Sequence, residues 1–125
     1  MACILCIDDD ATVLMMLEKL LKHAGHSVLK ANTARKGLRT VAGGKVDLII
    51  LDVMMPGMNG VEMLKKLKDS ELTASIPVIM FSGCDEDEIK QQAFGEYIEN
   101  FIVKGTPLNE IRARIEKILA LRPPK

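Results

Sequence analysis

The chain has 125 residues, a length that suits one domain, and its 17 basic and 17 acidic residues cancel to a formal net charge of zero. This balance argues against a nucleic-acid-binding protein, which needs a basic patch or stripe, and no apolar run approaches the roughly 20 residues of a transmembrane helix. Residues 1–10 lack the basic segment of a signal peptide, and three cysteines agree with a reducing compartment. We therefore expect a cytoplasmic protein without a membrane or nucleic-acid partner.

Strands and helices are predicted to alternate from end to end. Continuous apolar runs indicate parallel strands buried on both faces, and apolar residues at helical spacing indicate amphipathic helices. In chain order the predicted elements are strand 2–7, helix 11–24, strand 27–31 at a sheet edge, helix 34–42, strand 47–51, helix 60–69, strand 76–81, helix 85–94, strand 100–103 and a last helix from Pro107. The alternation predicts an α/β fold, a doubly wound sheet of five parallel strands joined by right-handed crossovers through five helices.

Residues at the helix boundaries support these limits. Side chains that can accept a hydrogen bond from the first free N–H groups of a helix precede four of the helices: Asp10, Thr33, Asn59 and Thr106. Gly25 is placed to end the first helix. Pro107 suits the first position of the last helix, whose predicted core stripe begins at Leu108.

Polar residues cluster where the predicted strands end. They are Asp8, Asp9 and Asp10 after the first strand, Asp52 after the third, Ser82 after the fourth and Lys104 after the fifth. In open parallel sheets, ligands bind beyond the carboxyl ends of the strands. Crowded carboxylates repel each other or recruit a cation, and a few hard oxygen ligands suit Mg²⁺. An acid cluster with a hydroxyl and a lysine is typical of a phosphoryl-transfer site.

Four motifs, in order and at fitting separations, resemble the receiver domain of the two-component response regulators. They are "ILCIDDD" (4–10), "LIILDVMMPGMNG" (48–60), "VIMFSG" (78–83) and "FIVK" (101–104). The resemblance covers a core of residues 3–121, within a single receiver domain of residues 1–125 that ends in a short tail at 122–125. It implies a flavodoxin-like fold with strand order 2-1-3-4-5.

The resemblance also implies a metal site. Asp52 is similar to the family's phosphoacceptor, and Asp8 and Asp9 are similar to its acidic pair. Asp9 would be the closer Mg²⁺ ligand, and Asp8 would act largely through water. The backbone carbonyl of Met54 would supply a further ligand beside Asp52.

Three more positions match the family's switching machinery. Ser82 matches the switch hydroxyl, Lys104 the lysine that pairs with the phosphoryl group, and Phe101 the aromatic switch residue. The implied protein is a phosphoacceptor signalling module rather than an enzyme, with Mg²⁺-dependent self-phosphorylation and self-dephosphorylation as its chemistry. Its implied partners are a histidine kinase or histidine phosphotransfer protein, and a downstream protein that reads the surface of the fourth helix, fifth strand and fifth helix.

Two other functions are considered. The stretch "DDDAT" (8–12) also matches the D-x-D-x-T motif of haloacid-dehalogenase-like phosphatases, with Asp8 as nucleophile and Asp10 as acid/base. That interpretation leaves Asp52 and its loop unexplained, and the chain has no room for a cap domain. A receiver that is never phosphorylated and acts only by binding is the other alternative, although all the required side chains are present.

One position departs from the family pattern. Receivers usually follow the lysine with a proline whose peptide bond is cis, whereas Gly105 follows Lys104 and the proline comes two positions later, at Pro107. A cis bond before a residue other than proline costs about 2.5–4 kcal/mol. The sequence therefore predicts a trans Lys104–Gly105 bond, with Gly105 in a backbone conformation closed to other residues.

Overall fold

A computed structural model describes residues 1–55, 57, 59–83 and 100–121. Five strands form one parallel sheet in the order β2-β1-β3-β4-β5. The strands are β1 Cys3–Ile7, β2 Ser27–Ala31, β3 Leu48–Asp52, β4 Val78–Ser82 and β5 Asn100–Val103. The described helices are α1 Ala11–His23, α2 Ala34–Ala42, α3 Gly60–Asp69 and a C-terminal helix, Leu108–Leu121. The predicted fold class and strand order are confirmed; the helix predicted at 85–94 and the tail at 122–125 lie outside the described residues.

Two strands end one residue later than the apolar pattern predicts. β3 includes Asp52, which pairs in register with Phe81, and β4 includes Ser82, which pairs with Val103. The prediction ended each strand at its last apolar residue, but the backbone hydrogen bonds between strands continue for one more residue, whose side chain is polar. β4 also begins two residues later than predicted, at Val78, because Pro77 has no N–H to donate to a ladder. The sheet itself therefore holds the backbone of Asp52 and Ser82.

Three of the four predicted N-caps are confirmed. Side-chain oxygens of Asp10, Thr33 and Asn59 accept backbone N–H groups of the first turns of α1, α2 and α3, at 2.8, 3.1 and 2.7 Å. The prediction for Thr106 is wrong. Its hydroxyl donates backwards to the carbonyl oxygen of Val103, 2.7 Å away, and the helix begins only at Leu108.

The core has one apolar cluster on each face of the sheet. Alternate residues of β1 point to opposite faces, so that Leu5 and Ile7 join the α2 and α3 side while Ile4 and Cys6 join the side of α1 and the C-terminal helix. Burying one large aliphatic side chain contributes about 1.5–3 kcal/mol, so these layers fix the sheet between the helices.

The stripe predicted for the C-terminal helix is confirmed only in part. Ile111 and Ile115 are buried, and Ile118 and Leu119 pack partly against the core. Leu108 is 48% exposed because it stands at the very start of the helix, before the stripe reaches the sheet.

Among the residues that the structure describes, no helix has both the length and the apolar character needed to cross a membrane. The cytoplasmic location stays a prediction.

Candidate functional site

Three carboxylates meet at the carboxyl ends of β1 and β3. Ile7 and Leu51 pair in register on these adjacent strands, so the residues that follow them, Asp8 and Asp52, lie side by side. Asp8 is 1% exposed and Asp52 is 4% exposed, whereas Asp9 is open to solvent. One oxygen of each of the three carboxylates lies within 4.8 Å of the others. The predicted acid cluster is therefore present.

Lys104 reaches this cluster from the end of β5. Its Nζ atom lies 2.9 Å from Oδ2 of Asp8 and 3.4 Å from Oδ1 of Asp52. The contact to Asp8 is an ion pair without hydrogen-bond alignment, so this buried oxygen gains Coulombic stabilisation but no good hydrogen bond. Burial alone would lower the pKa of Lys104, but the two carboxylates raise it above its usual range, so the ammonium stays charged.

The surroundings of Asp52 raise the pKa of its carboxyl group. Burial and the nearby charge of Asp8 raise the pKa of Asp52 to about 6, while Lys104 and the backbone N–H of Met54 oppose the rise. That N–H donates to Oδ1 of Asp52 across 3.3 Å. Burial and the charge of Asp8 therefore make the ionised form of Asp52 costly in free energy.

The chain after β3 folds back on itself to keep this pocket compact. A Cβ atom on Gly60 would lie 2.2 Å from the carbonyl oxygen of Asp52, so no other residue fits there without moving the backbone. The N–H of Gly60 donates to the carbonyl oxygen of Val53 across 2.8 Å, and α3 begins at once. Met54 lies within this loop with its side chain 55% exposed. The role of the Met54 carbonyl as a metal ligand stays a prediction.

The two predicted switch residues share one face of the sheet. Ser82 is fully buried at the end of β4, and Phe101 is buried in the core beside α3. Phe101 pairs with Met80, two residues before Ser82, so Ser82 and Phe101 are diagonal neighbours on adjacent strands. This placement is the one that coupling between the two side chains would require.

The turn after β5 agrees with the prediction made for Gly105. The Lys104–Gly105 peptide bond is trans, and Gly105 has a φ of 97°. The N–H of Lys104 donates to the carbonyl oxygen of Ser82 across 2.6 Å. This bond fixes the base of the lysine side chain against β4.

Two contributions to the site were missed from the sequence. The backbone N–H of Asp10 donates to Oδ1 of Asp8 across 2.9 Å, although only the capping role of Asp10 was predicted. The ring of Phe81 lies with its centroid 5.8 Å from Nζ of Lys104, within the range of a cation–π contact. The sequence feature that could have predicted the contact between Phe81 and Lys104 is an aromatic residue directly before Ser82.

The residues present fit a small divalent cation. The donors are three carboxylates, hard oxygen ligands of the type that Mg²⁺ prefers. Oδ2 of Asp8 is buried without a hydrogen bond of good geometry, and a cation would compensate it. The exposure of Asp9 leaves one side open, as a metal that retains water molecules requires.

Comparisons with known proteins agree with this geometry. A family model described as the response regulator receiver domain matches residues 4–116. Protein PilH of Pseudomonas aeruginosa is 33% identical over 90% of this chain and 97% of its own length. The phosphate regulon transcriptional regulatory protein PhoB of the same species is 34% identical over 93% of this chain, which spans only 51% of PhoB.

Solved structures lead to the same family. A putative response regulator from Chloroflexus aurantiacus superposes with a TM-score of 0.86 at 30% identity, over 95% of this chain and 98% of that one. The matched residues 4–116 contain all four motifs and every residue of the acid pocket. The chain therefore belongs to the family of response regulator receiver domains.

Proposed function

We propose that this domain receives a phosphoryl group on Asp52 and passes the signal on by protein–protein contact. The observation that carries the proposal is the buried Asp52 carboxylate held between a second carboxylate, Asp8, and the ammonium of Lys104. A buried charge in an unfavourable setting is costly unless the site uses it.

The transfer can be written with the chain's own residues. A carboxylate oxygen of Asp52 attacks the phosphorus atom of a phosphohistidine, the phosphorus–nitrogen bond breaks, and the imidazole leaves with its electron pair and takes up a proton. Lys104 stands 3.4 Å from the attacking carboxylate, where it neutralises charge on the incoming phosphoryl oxygens. The proposed donor is a histidine kinase or a histidine phosphotransfer protein.

Asp8, Asp9 and Asp52, with the carbonyl of Met54, would hold Mg²⁺ when it is bound. The cation would supply charge neutralisation for the phosphoryl oxygens. Self-phosphorylation from a small phosphodonor, and later loss of the group to water, are proposed as the domain's own chemistry. In this scheme Lys104 orients the phosphoryl group, and the fully buried Ser82 limits the entry of water from its side of the site.

Phosphorylation would act as a two-state switch through Ser82 and Phe101. The Ser82 hydroxyl would turn toward the new phosphoryl oxygen, and the Phe101 ring, its diagonal neighbour, would occupy the space released. The readout surface is proposed to comprise β5, the C-terminal helix and the helix predicted at 85–94. A downstream protein is the proposed partner, and the absence of a nucleic-acid partner stays a prediction because some relatives are transcriptional regulators.

The phosphatase alternative fits the structure less well. Its acid/base, Asp10, uses its carboxylate to cap α1 by accepting the N–H of Thr12. Its nucleophile, Asp8, has Oδ1 bonded to the N–H of Asp10 and Oδ2 beside Lys104. Because its carboxylate is committed to the cap, Asp10 is not placed to act as the acid/base. Asp8 makes contacts of the same kind as Asp52, so locating the phosphoryl group separates the two acceptors.

Incubation with acetyl phosphate and Mg²⁺, followed by intact-mass measurement, tests the proposal. We expect one added phosphoryl group on the parent protein and on Asp69→Asn, an exposed control at the end of α3. Asp52→Asn should gain none, and peptide mapping of the parent should locate the group on Asp52. Phosphorylation of Asp52→Asn at the parent's rate, or mapping to Asp8, would reject the assignment.

A further inference from the structure

A groove of about 290 Å³ opens between α2 and α3, away from the acid pocket. Its apolar lining comes from Leu38 and Val41 on α2, Leu67 on α3 and Leu72 just beyond α3. Val41 and Leu67 belong to the C-terminal halves of their helices, and Leu38 stands at the middle of α2. In a parallel sheet with crossover helices, the helices end at the edge opposite the carboxyl ends of the strands, so the groove and the acid pocket lie at opposite edges.

One wall of the groove carries exposed cations. Residues 32–46 contain four basic side chains and no acidic one. Arg35 and Arg39 are exposed and one helical turn apart, and they share a helix face with Leu38 and Ala42, which line the groove. The α2 wall is therefore apolar at its base and positive at its rim.

The other rim is also positive. Exposed Lys66 of α3 lines the groove directly, and exposed Lys45 follows Gly44, another lining residue. Three exposed acids, Glu62, Asp69 and Glu71, are nearby in sequence, and Asp69 is already paired with Lys65. The exposed cations on the two rims therefore outnumber the exposed acids by four to three.

Some cations elsewhere on the surface are paired with carboxylates. Lys22 and Lys30 are both paired with Glu18, and Lys65 is paired with Asp69. Across the described part of the chain, the four rim cations Arg35, Arg39, Lys45 and Lys66 make no ion pair with a carboxylate. They are thus available to an anionic partner.

We propose that the groove between α2 and α3 docks an acidic amphipathic peptide segment of another protein, with an aliphatic side chain in the groove and carboxylates on the rim cations. A nucleic acid fits less well, because residues 32–75 contain no aromatic side chain on which bases could stack. A bilayer fits less well too, because a membrane-bound surface presents a protruding apolar face, whereas most of this apolar surface lines a concave groove. Leu72, 87% exposed, extends the apolar surface at the rim.

This surface goes beyond the proposed phosphoacceptor function and does not rest on it. A partner held at the opposite edge of the sheet leaves the acid pocket and the surface around β5 open. The groove would then give the domain a second point of attachment, which raises the effective concentration of a partner that also contacts the readout surface.

Fluorescence anisotropy with a defined probe tests the proposal. The probe is a short fluorescein-labelled peptide of aspartate and glutamate, with leucines at helical i, i+3 and i+4 spacing. It should bind the full chain, and binding should weaken as salt is raised. Arg39→Gln with Lys66→Gln should weaken binding about tenfold. Leu72→Ser, a change at an exposed side chain, should weaken it as well.

The matched control is Lys19→Gln with Lys22→Gln, which removes two exposed cations from α1 and should leave the affinity unchanged. Circular dichroism confirms that each variant is folded. Equal loss in both double variants would show a general charge effect and overturn the proposal. So would undiminished binding of a peptide with serine in place of leucine, or tighter binding of a charge-matched single-stranded oligonucleotide or of phosphatidylglycerol vesicles.

Discussion

Replacement of the proposed phosphoacceptor by its neutral isostere should make the domain more stable. Burial and Asp8 raise the pKa of Asp52 from 3.8 to about 6, and a difference of about two pKa units corresponds to ~3 kcal/mol between the neutral and ionised forms. Asparagine resembles the neutral form and can still accept the N–H of Met54. We therefore expect Asp52→Asn to raise the free energy of unfolding at pH 7 by about 1–3 kcal/mol, against a total of about 5–15 kcal/mol for a domain.

The pH dependence gives the sign of the effect. Because the folded pKa lies above the unfolded one, the native state retains its proton while the unfolded chain has lost it. Asp52 therefore contributes its full stabilisation to the parent protein, compared with Asp52→Asn, below about pH 4. This contribution is lost as the pH rises through about 6. Urea unfolding of both proteins in EDTA, at pH 4 and at pH 7.5, measures the difference.

A surface carboxylate provides the control. Asp69→Asn removes an exposed partner of Lys65 one turn away and should cost about 0.3–0.5 kcal/mol at pH 7. Mg²⁺ should raise the urea midpoint of the parent more than that of Asp52→Asn, since a ligand of the native state stabilises it by mass action. A destabilised Asp52→Asn at pH 7.5, or a difference from the parent that is the same at both pH values, would refute the reasoning.

Three further predictions concern backbone and switch positions. Gly60→Ala places a methyl group 2.2 Å from a backbone carbonyl oxygen of β3 and should destabilise the domain by about 1–3 kcal/mol in urea unfolding. The control, Gly43→Ala, has a right-handed helical backbone at the end of α2 and should have little effect. Equal losses of stability in the two variants would contradict the steric argument. Gly105→Ala forces a side chain into a backbone conformation with φ of 97° and should lower the free energy of unfolding by about 1–2 kcal/mol. It should also slow phosphorylation by acetyl phosphate, because this turn positions Lys104. An unchanged rate together with an unchanged urea midpoint would show that the turn can rearrange freely. Ser82→Ala should still accept the phosphoryl group but lose the phosphorylation-linked NMR shifts of Phe101, and retention of those shifts would remove the serine from the switch.

The sequence was sufficient for features that depend on local pattern. Apolar runs such as residues 48–51 predicted buried parallel strands, and most helix limits followed from the caps. The acid cluster could be predicted because parallel strands bring their carboxyl ends to one edge. The trans bond before Gly105 followed from the intrinsic energy of that peptide, which needs no tertiary information.

Other features were decided only by tertiary structure. Thr106 was a sound cap by its sequence position, but the turn at Gly105 directs its hydroxyl back to Val103. The sequence placed Asp52 in a polar pocket, but its raised pKa depends on burial by neighbours far away in the chain and on the nearby charge of Asp8. The groove between α2 and α3 likewise depends on how two amphipathic helices pack against the sheet. Periodicity reports which side of each helix is apolar, whereas the distance between two helices is set by packing among residues distant in sequence, and no local pattern encodes it.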